Sequence, residues 1–283
     1  MEKINILIVS GCMAIQTFKG NIQPEELYHV VLKDYFLEKY NILLIFEIIN
    51  YDELSPCYDK IVENFESKPA DLLLFQVRGH YYLDMILFFS TFKTIERNVL
   101  SNKTQKVSIE KNTNFVETAK NKLKNKNTLA SIYILKIYFF IKYGLLWPLG
   151  YFMGYLFGTE KFAKNEYKKL ITNVQSFSEN KKVPLLFLGV TSRPKSKAEN
   201  LLSLRLNQFA GNLIQSLGGT YIDIFGKFTV NNEYKFSTDN LSLSKIGHKE
   251  VADKLVIHIN KLLPLSNLDK SSSATLTTED IDN

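Results

Sequence analysis

Five short apolar runs, separated by stretches of at least helix length, constrain this chain more than any other feature. They are Ile4 to Val9, Asn41 to Ile49, Asp71 to Val77, Pro184 to Val190 and Thr220 to Ile224. All are shorter than a typical helix, and most are apolar almost throughout instead of alternating. That is the pattern of a strand buried on both faces of a parallel sheet. Helices fit around them. One is predicted over about 23–39, with Pro24 at its start and Glu25 and Glu26 in its first turn. A second is predicted over 55–67, with Ser55 as N-cap and Pro56 as first helical residue. Further helices are expected from Phe162 to Glu179, from Ala198 to Leu217 with a stop at Gly218-Gly219, and from Ile246 to Leu263. Alternating strands and helices predict a three-layer α/β/α sandwich around a central parallel sheet of about five strands.

In such sheets ligands bind in the crevice beyond the carboxyl ends of the strands. The residues standing there are Ser10-Gly11-Cys12, Asn50-Tyr51, Arg78-Gly79-His80 and Thr191-Ser192-Arg193. Cys12 leaves its strand through a tight Ser-Gly turn, where the next helix can begin. Helix N-terminal amides favour an anion and lower a thiol pKa, so the position suits a nucleophile; a small packing residue is the alternative. Arg78 and Arg193 both follow strands. They suit a phosphate or carboxylate on a ligand, or an ion pair at the rim. His29 and His258 read as surface residues of helices.

The remainder of the chain narrows the class. Two cysteines, Cys12 and Cys57, do not make a disulfide framework and fit a reduced, cytoplasmic compartment. The run Ile6 to Val9 is too short for a signal-peptide core. The net charge of +6 is concentrated locally, with Lys120, Lys122, Lys124 and Lys126 close together. Nothing resembles a zinc finger, an RNA-recognition aromatic pattern or a helix-turn-helix, so nucleic acid is not an expected partner. No metal-ligand spacing and no glycine-rich phosphate loop is present, so no cofactor is expected. Between the third and fourth strands the alternation is interrupted over about 91–159. The first half of this stretch is lysine-rich, and Leu129 to Phe157 is apolar and aromatic. Lys136, Lys142 and Pro148 break any run of the ~20 apolar residues that a membrane span needs. A helical insertion or lid on the domain is expected, with peripheral membrane contact as the alternative. The expected organisation is one α/β domain over 1–264 and a disordered Ser-, Thr- and Asp-rich tail over 265–283.

One stretch near the end carries a resemblance. Phe236-Ser-Thr-Asp-Asn-Leu-Ser-Leu-Ser-Lys-Ile-Gly-His248 resembles the last motif block of the SGNH/GDSL hydrolases. In that block Asp-x-x-His supplies two triad members and a Gly-His pair opens the final helix. The first block, a strand followed by the nucleophile turn, corresponds to Ser10-Gly11-Cys12. The third block, a strand followed by Gly-x-Asn, corresponds to Arg78-Gly79-His80. The resemblance places Cys12 at the nucleophile and Asp239 at the catalytic Asp. Ser242 stands at the catalytic His position, and His80 where the oxyanion-hole Asn is usual. It gives His248 a structural or capping place. The family's second-block Gly has no counterpart near Asn50 and Tyr51.

Two readings follow. In one the site is rewired, with Cys12 and His80 as a Cys–His pair and Asp239 orienting a partner or substrate. The Gly11 and Cys12 amides would then hold an oxyanion, and Arg78, Arg193, Ser242 and His248 would line the substrate cleft. This implies an esterase or acyltransferase acting on a small-molecule, glycan or lipid acyl ester. In the other reading catalysis has been lost with the triad histidine, and the fold serves as a binding or scaffolding module.

Overall fold

The computed structural model describes residues 1–11, 14, 23–51, 53–86, 152, 158–192, 197–225 and 243–263. In chain order they form β1 (Glu2–Ser10), a 3₁₀ turn (Pro24–Glu26), α1 (Tyr28–Tyr40), β2 (Ile42–Asn50) and α2 (Ser55–Ser67). Next come β3 (Leu72–Gln76), α3 (Gly79–Ile86), α4 (Thr159–Lys181) and β4 (Leu185–Leu188). Last are α5 (Lys197–Ser216), β5 (Thr220–Ile222) and α6 (Lys245–Leu262). The chain divides into two compact units, one of Met1–Tyr81 with Lys164–Asn283 and one of Tyr82–Ala163. Within the second, Tyr82 is buried and its hydroxyl donates to Glu160 Oε1 at 2.8 Å. The expected insertion lies outside the described residues apart from 152, 158 and 159, and the expected tail lies wholly outside them.

The five strands form one parallel sheet in the order β2-β1-β3-β4-β5. This is the three-layer α/β/α architecture that the run pattern predicts. Burial on both faces explains why the strands read as continuous apolar runs. Even-numbered residues of β1 and β3 (Ile4, Ile6, Ile8, Leu72, Leu74) pack with Tyr28, Leu32 and Phe36 of α1 and Val251, Leu255 and Ile259 of α6. Odd-numbered residues such as Leu7, Val9, Leu73 and Phe75 are buried on the opposite face. There α2 and α4 meet through Phe65 and Phe177, whose rings are 5.3 Å apart and perpendicular. Right-handed crossovers require this division, since β1 to β2 runs one way along the sheet and all later steps run the other.

Three expectations about the helices are corrected. The stretch expected as one helix over about 23–39 is split at Leu27, whose ψ of 140° is extended. The Glu26 side chain folds back to accept from the Gln23 backbone N–H at 3.1 Å, which closes a separate turn before α1 begins. The N-cap of α2 is Leu54; Ser55 is already helical and Pro56 follows it, so no side-chain cap is made. His29 is half-buried and not a surface residue, whereas His258 stays partly exposed on α6. The His29 ring packs edge-on against Phe46 of β2 at 5.5 Å.

Candidate functional site

The order 2-1-3-4-5 reverses direction between β1 and β3, so the crevice beyond their carboxyl ends is the topological switch point of the sheet. β1 ends there in Ser10 and Gly11; β3 ends in Gln76 and leads through Val77 to Arg78 and Gly79. Parallel pairing of Val9 with Phe75 sets the two exits side by side. Below the rim the ends are tied by polar contacts. Ser10 and Gln76 are both buried, and the Ser10 hydroxyl donates to Gln76 Oε1. Tyr51, one residue past β2, donates its backbone N–H to the Ser10 carbonyl at 3.1 Å and its hydroxyl to the Gln76 carbonyl at 2.6 Å. Its ring stacks on Phe75 at 5.5 Å. Burial pushes the Tyr51 phenol well above its ordinary range, against the Arg78 charge, so it stays a neutral donor.

Arg78 lies on this platform. Its guanidinium is 5.3 Å from the Tyr51 ring centroid, a cation–π distance. It also lies flat against Gly11. A Cβ added to Gly11 would fall on the guanidinium, 2.7 Å from Nη2 and nearer still to the other atoms of the group. The φ of Gly11 is outside the left-handed region, so what a Cβ there would disturb is the placement of the Arg78 side chain, not the backbone. The Arg78 carbonyl accepts from the Tyr167 hydroxyl of α4, which fixes the backbone beneath the side chain. His80 follows two residues later, exposed, in the first turn of α3.

The exits of β4 and β5 carry a second polar cluster that the sequence did not announce. Asn207 of α5 accepts at Oδ1 from the Val190 backbone N–H at 3.1 Å and from the Tyr221 hydroxyl at 2.5 Å. Its Nδ2 donates to Asp223 Oδ1 at 3.1 Å, which also accepts from the Phe225 backbone N–H at 2.8 Å. Tyr221 fits only because Gly189 and Gly211 leave it room. The signal in the sequence was Gly189 interrupting an apolar strand exit, which marks a close approach without naming the partner. Beside this cluster the Ser192 and Ser203 hydroxyls are buried and have no hydrogen-bond partner among the described residues.

His248 stands elsewhere. It is buried in the first turn of α6, with its ring stacked on Tyr28 at 6.1 Å. Its Nδ1 accepts from the Tyr28 backbone N–H at 3.3 Å, tying α6 to the start of α1. Burial, with His29 nearby, lowers its pKa to about 4 against a weaker opposing pull from Glu26. The ring is therefore neutral at neutral pH and already committed to a structural bond. Cys57 is fully buried in α2, and burial pushes its thiol up to about 12. Cys12, Arg193, Asp239 and Ser242 lie outside the described residues. Gly11, Arg78 and His80 are thus the expected site residues seen at the switch point, and Tyr51 joins them. Among the described residues no group of His, Cys, Asp or Glu is arranged to hold a metal ion, and no helix is long and apolar enough to cross a membrane.

No family model matches the sequence, and no curated protein matches it. Solved structures do match the fold. The lipase Lip_vut3 from a goat rumen metagenome is 14% identical, with a TM-score of 0.51 over 90% of this chain and 96% of that one. The acetyl xylan esterase AlAXEase is 12% identical, with a TM-score of 0.50 over 90% of this chain and 100% of that one. A lipase/acylhydrolase from Enterococcus faecalis is 9% identical, with a TM-score of 0.50 over 92% and 96%.

Proposed function

We propose that this chain, whose fold is that of the SGNH/GDSL-type esterases and lipases, acts on an acyl ester at the β1/β3 switch point. The observation carrying this reading is the contact between the two strand exits. The segment leading into Cys12 and the segment leading into His80 are adjacent, with Arg78 packed on Gly11. In the proposed reaction the Cys12 thiolate adds to the ester carbonyl carbon. The carbon–oxygen bond then breaks, and the departing alkoxide takes its proton from the His80 imidazolium. Water cleaves the resulting thioester to release the acid, or a second alcohol takes the acyl group. Asp239 would orient a partner or the substrate, the Gly11 amide would help hold the oxyanion, and Arg78, Arg193 and Ser242 would contact substrate. His248 is assigned to packing. Its Nδ1 is spent on Tyr28, so it is not a spare base for the missing triad histidine. The test is incubation with an activated ester or thioester, followed by mass analysis of the Cys12 peptide. An acyl adduct on Cys12, and turnover lost in Cys12→Ala, are expected. No adduct and unchanged turnover would remove this mechanism.

That commitment of His248 also favours a second reading, a non-catalytic binding protein on the same fold. It predicts no turnover of any ester and ligand retention that depends on the switch-point residues.

A further inference from the structure

The seam between the β4 exit and α5 contains two serine hydroxyls shut away from solvent, and their placement says what joins them. We propose that Ser192 and Ser203 share one ordered water molecule, which ties the β4 exit to α5 beside Gly79, at the start of α3. The ligand is a small uncharged hydrogen-bonding group, and the inference does not depend on the esterase reading.

Three observations support it. First, both hydroxyls are buried with no hydrogen-bond partner among the described residues; Ser203 is 0% and Ser192 1% exposed. A serine inside a helix can bond back to the carbonyl four residues earlier, and Ser203 does not. A buried hydroxyl left unpaired carries its full desolvation penalty, so two in one seam call for a partner. Second, the two side chains stand at the same level of the seam. The Val190 N–H donates to Asn207 Oδ1 at 3.1 Å, which registers α5 on the β4 exit. The helix leads back to the start of β5, which pairs parallel to β4, so it runs against the strand direction. Ser203 is one turn before Asn207, about 6 Å along the helix and on the same side of it. Ser192 is two residues past Val190, about 6–7 Å along an extended chain and on the same side of that chain. No turn or bend intervenes between Gly189 and Ser192. Third, a neighbouring backbone completes the site. A Cβ on Gly79 would stand 3.1 Å from Val190 Cγ1 and 3.5 Å from Ser203 Oγ, so the first residue of α3 closes the seam. The first amide of a helix has no partner within the helix, which makes the Gly79 N–H a third group for the water. A buried water takes two to four polar partners. All three groups are neutral and both serines are closed to solvent, which suits water and neither an ion nor part of a substrate.

Two measurements test this, and neither needs turnover. A high-resolution crystal structure of the unaltered protein is expected to show one water about 2.7–3.2 Å from both serine Oγ atoms. Density with no such water, or with the two hydroxyls bonded directly to each other, overturns the inference. Thermal midpoints are then compared for the unaltered chain, Ser192→Ala, Ser203→Ala and the double variant. Each single variant is expected to unfold about 2–4 °C lower, the shift for one hydrogen bond lost from a domain of this size. The double variant should fall no further than either single one, because the first substitution already releases the shared water. An unchanged or raised midpoint in either single variant is the result for a hydroxyl that has no partner, and it overturns the inference. Losses that add in the double variant also overturn it, since they mean two independent partners.

Discussion

Acid should loosen the junction of α1 and α6, and His248 sets how much. In the folded chain this ring is 1% exposed, and its pKa lies at about 4; its ordinary value is 6.5. Above about pH 6.5 it is neutral in both states and adds no pH dependence. As pH falls below that value the unfolded chain takes up a proton that the folded chain refuses, so stability declines. The decline continues until about pH 4, where both states are protonated. At ~1.4 kcal/mol per pH unit over this window, His248 accounts for about 3 kcal/mol. His29, also lowered to about 4 by burial, acts in the same direction, with a smaller share because it is half-exposed to screening water. Three kcal/mol is a large part of the ~5–15 kcal/mol that holds a domain together. The assay is urea unfolding followed by circular dichroism at about pH 7.5, 6.5, 5.5 and 4.5. The informative variant is His248→Asn, whose Oδ1 can accept from the Tyr28 N–H but does not titrate. It should lose about 1 kcal/mol at about pH 7.5 with the stacked ring. Its stability should then fall with acid by about 3 kcal/mol less than that of the unaltered chain. Equal slopes for the two proteins between about pH 6.5 and 4.5 would refute the assignment to His248.

Two further outcomes follow from packing. Gly189→Ala would put a methyl carbon 2.7 Å from the Tyr221 hydroxyl and 2.9 Å from Asn207 Oδ1, so a loss of about 1–3 kcal/mol is expected; an unchanged thermal midpoint would contradict it. Cys57, fully buried with its thiol pushed up to about 12, should escape iodoacetamide in the folded protein and react after unfolding, as read by peptide mass analysis.

Much of the fold was legible because two-sided burial writes each strand as an unbroken apolar run. β3, β4 and β5 fall inside the expected ranges, and β1 and β2 run past theirs by no more than two residues. Strand order was not legible, since an alternating β/α chain is compatible with several orders until packing selects one. Local chemistry also misled. Pro24 with two acids reads as a helix start, yet the Glu26 side chain closes on Gln23 and the chain extends at Leu27 before α1 begins. His29 looked like a surface residue because its cover, Phe46, comes from a strand that its own helix gives no hint of. At the site, the positions of Gly11 and Arg78 could be inferred from their strands. Their contact, and the place of Tyr51 under it, required the β1–β3 adjacency. Asn207 lies in a helix interior and contacts two strand exits, a relation that no spacing in the sequence encodes.

The polar pairs at the two ends of the β1–β3 ladder have a consequence for assembly of the sheet. Strands that are apolar on both faces carry little alternation, so sliding one past its neighbour by two residues exchanges one aliphatic contact for another. Asn5 and Asp71 meet at the entry, where the Asp71 N–H donates to the Asn5 carbonyl and Asp71 Oδ2 accepts from the Asn5 N–H, both at 2.8 Å. Ser10 and Gln76 meet at the exit. A two-residue slip would part Asp71 from Asn5 and Ser10 from Gln76 together, setting Ser10 opposite Leu74 in one direction or Gln76 opposite Ile8 in the other. Unsatisfied groups of that kind cost about 1–3 kcal/mol each. The Asp71, Ser10 and Gln76 side chains contribute little to cohesion compared with the aliphatic core around them. They act as alignment marks, and the placement of Gly11 against Arg78 depends on the ladder closing in that one frame.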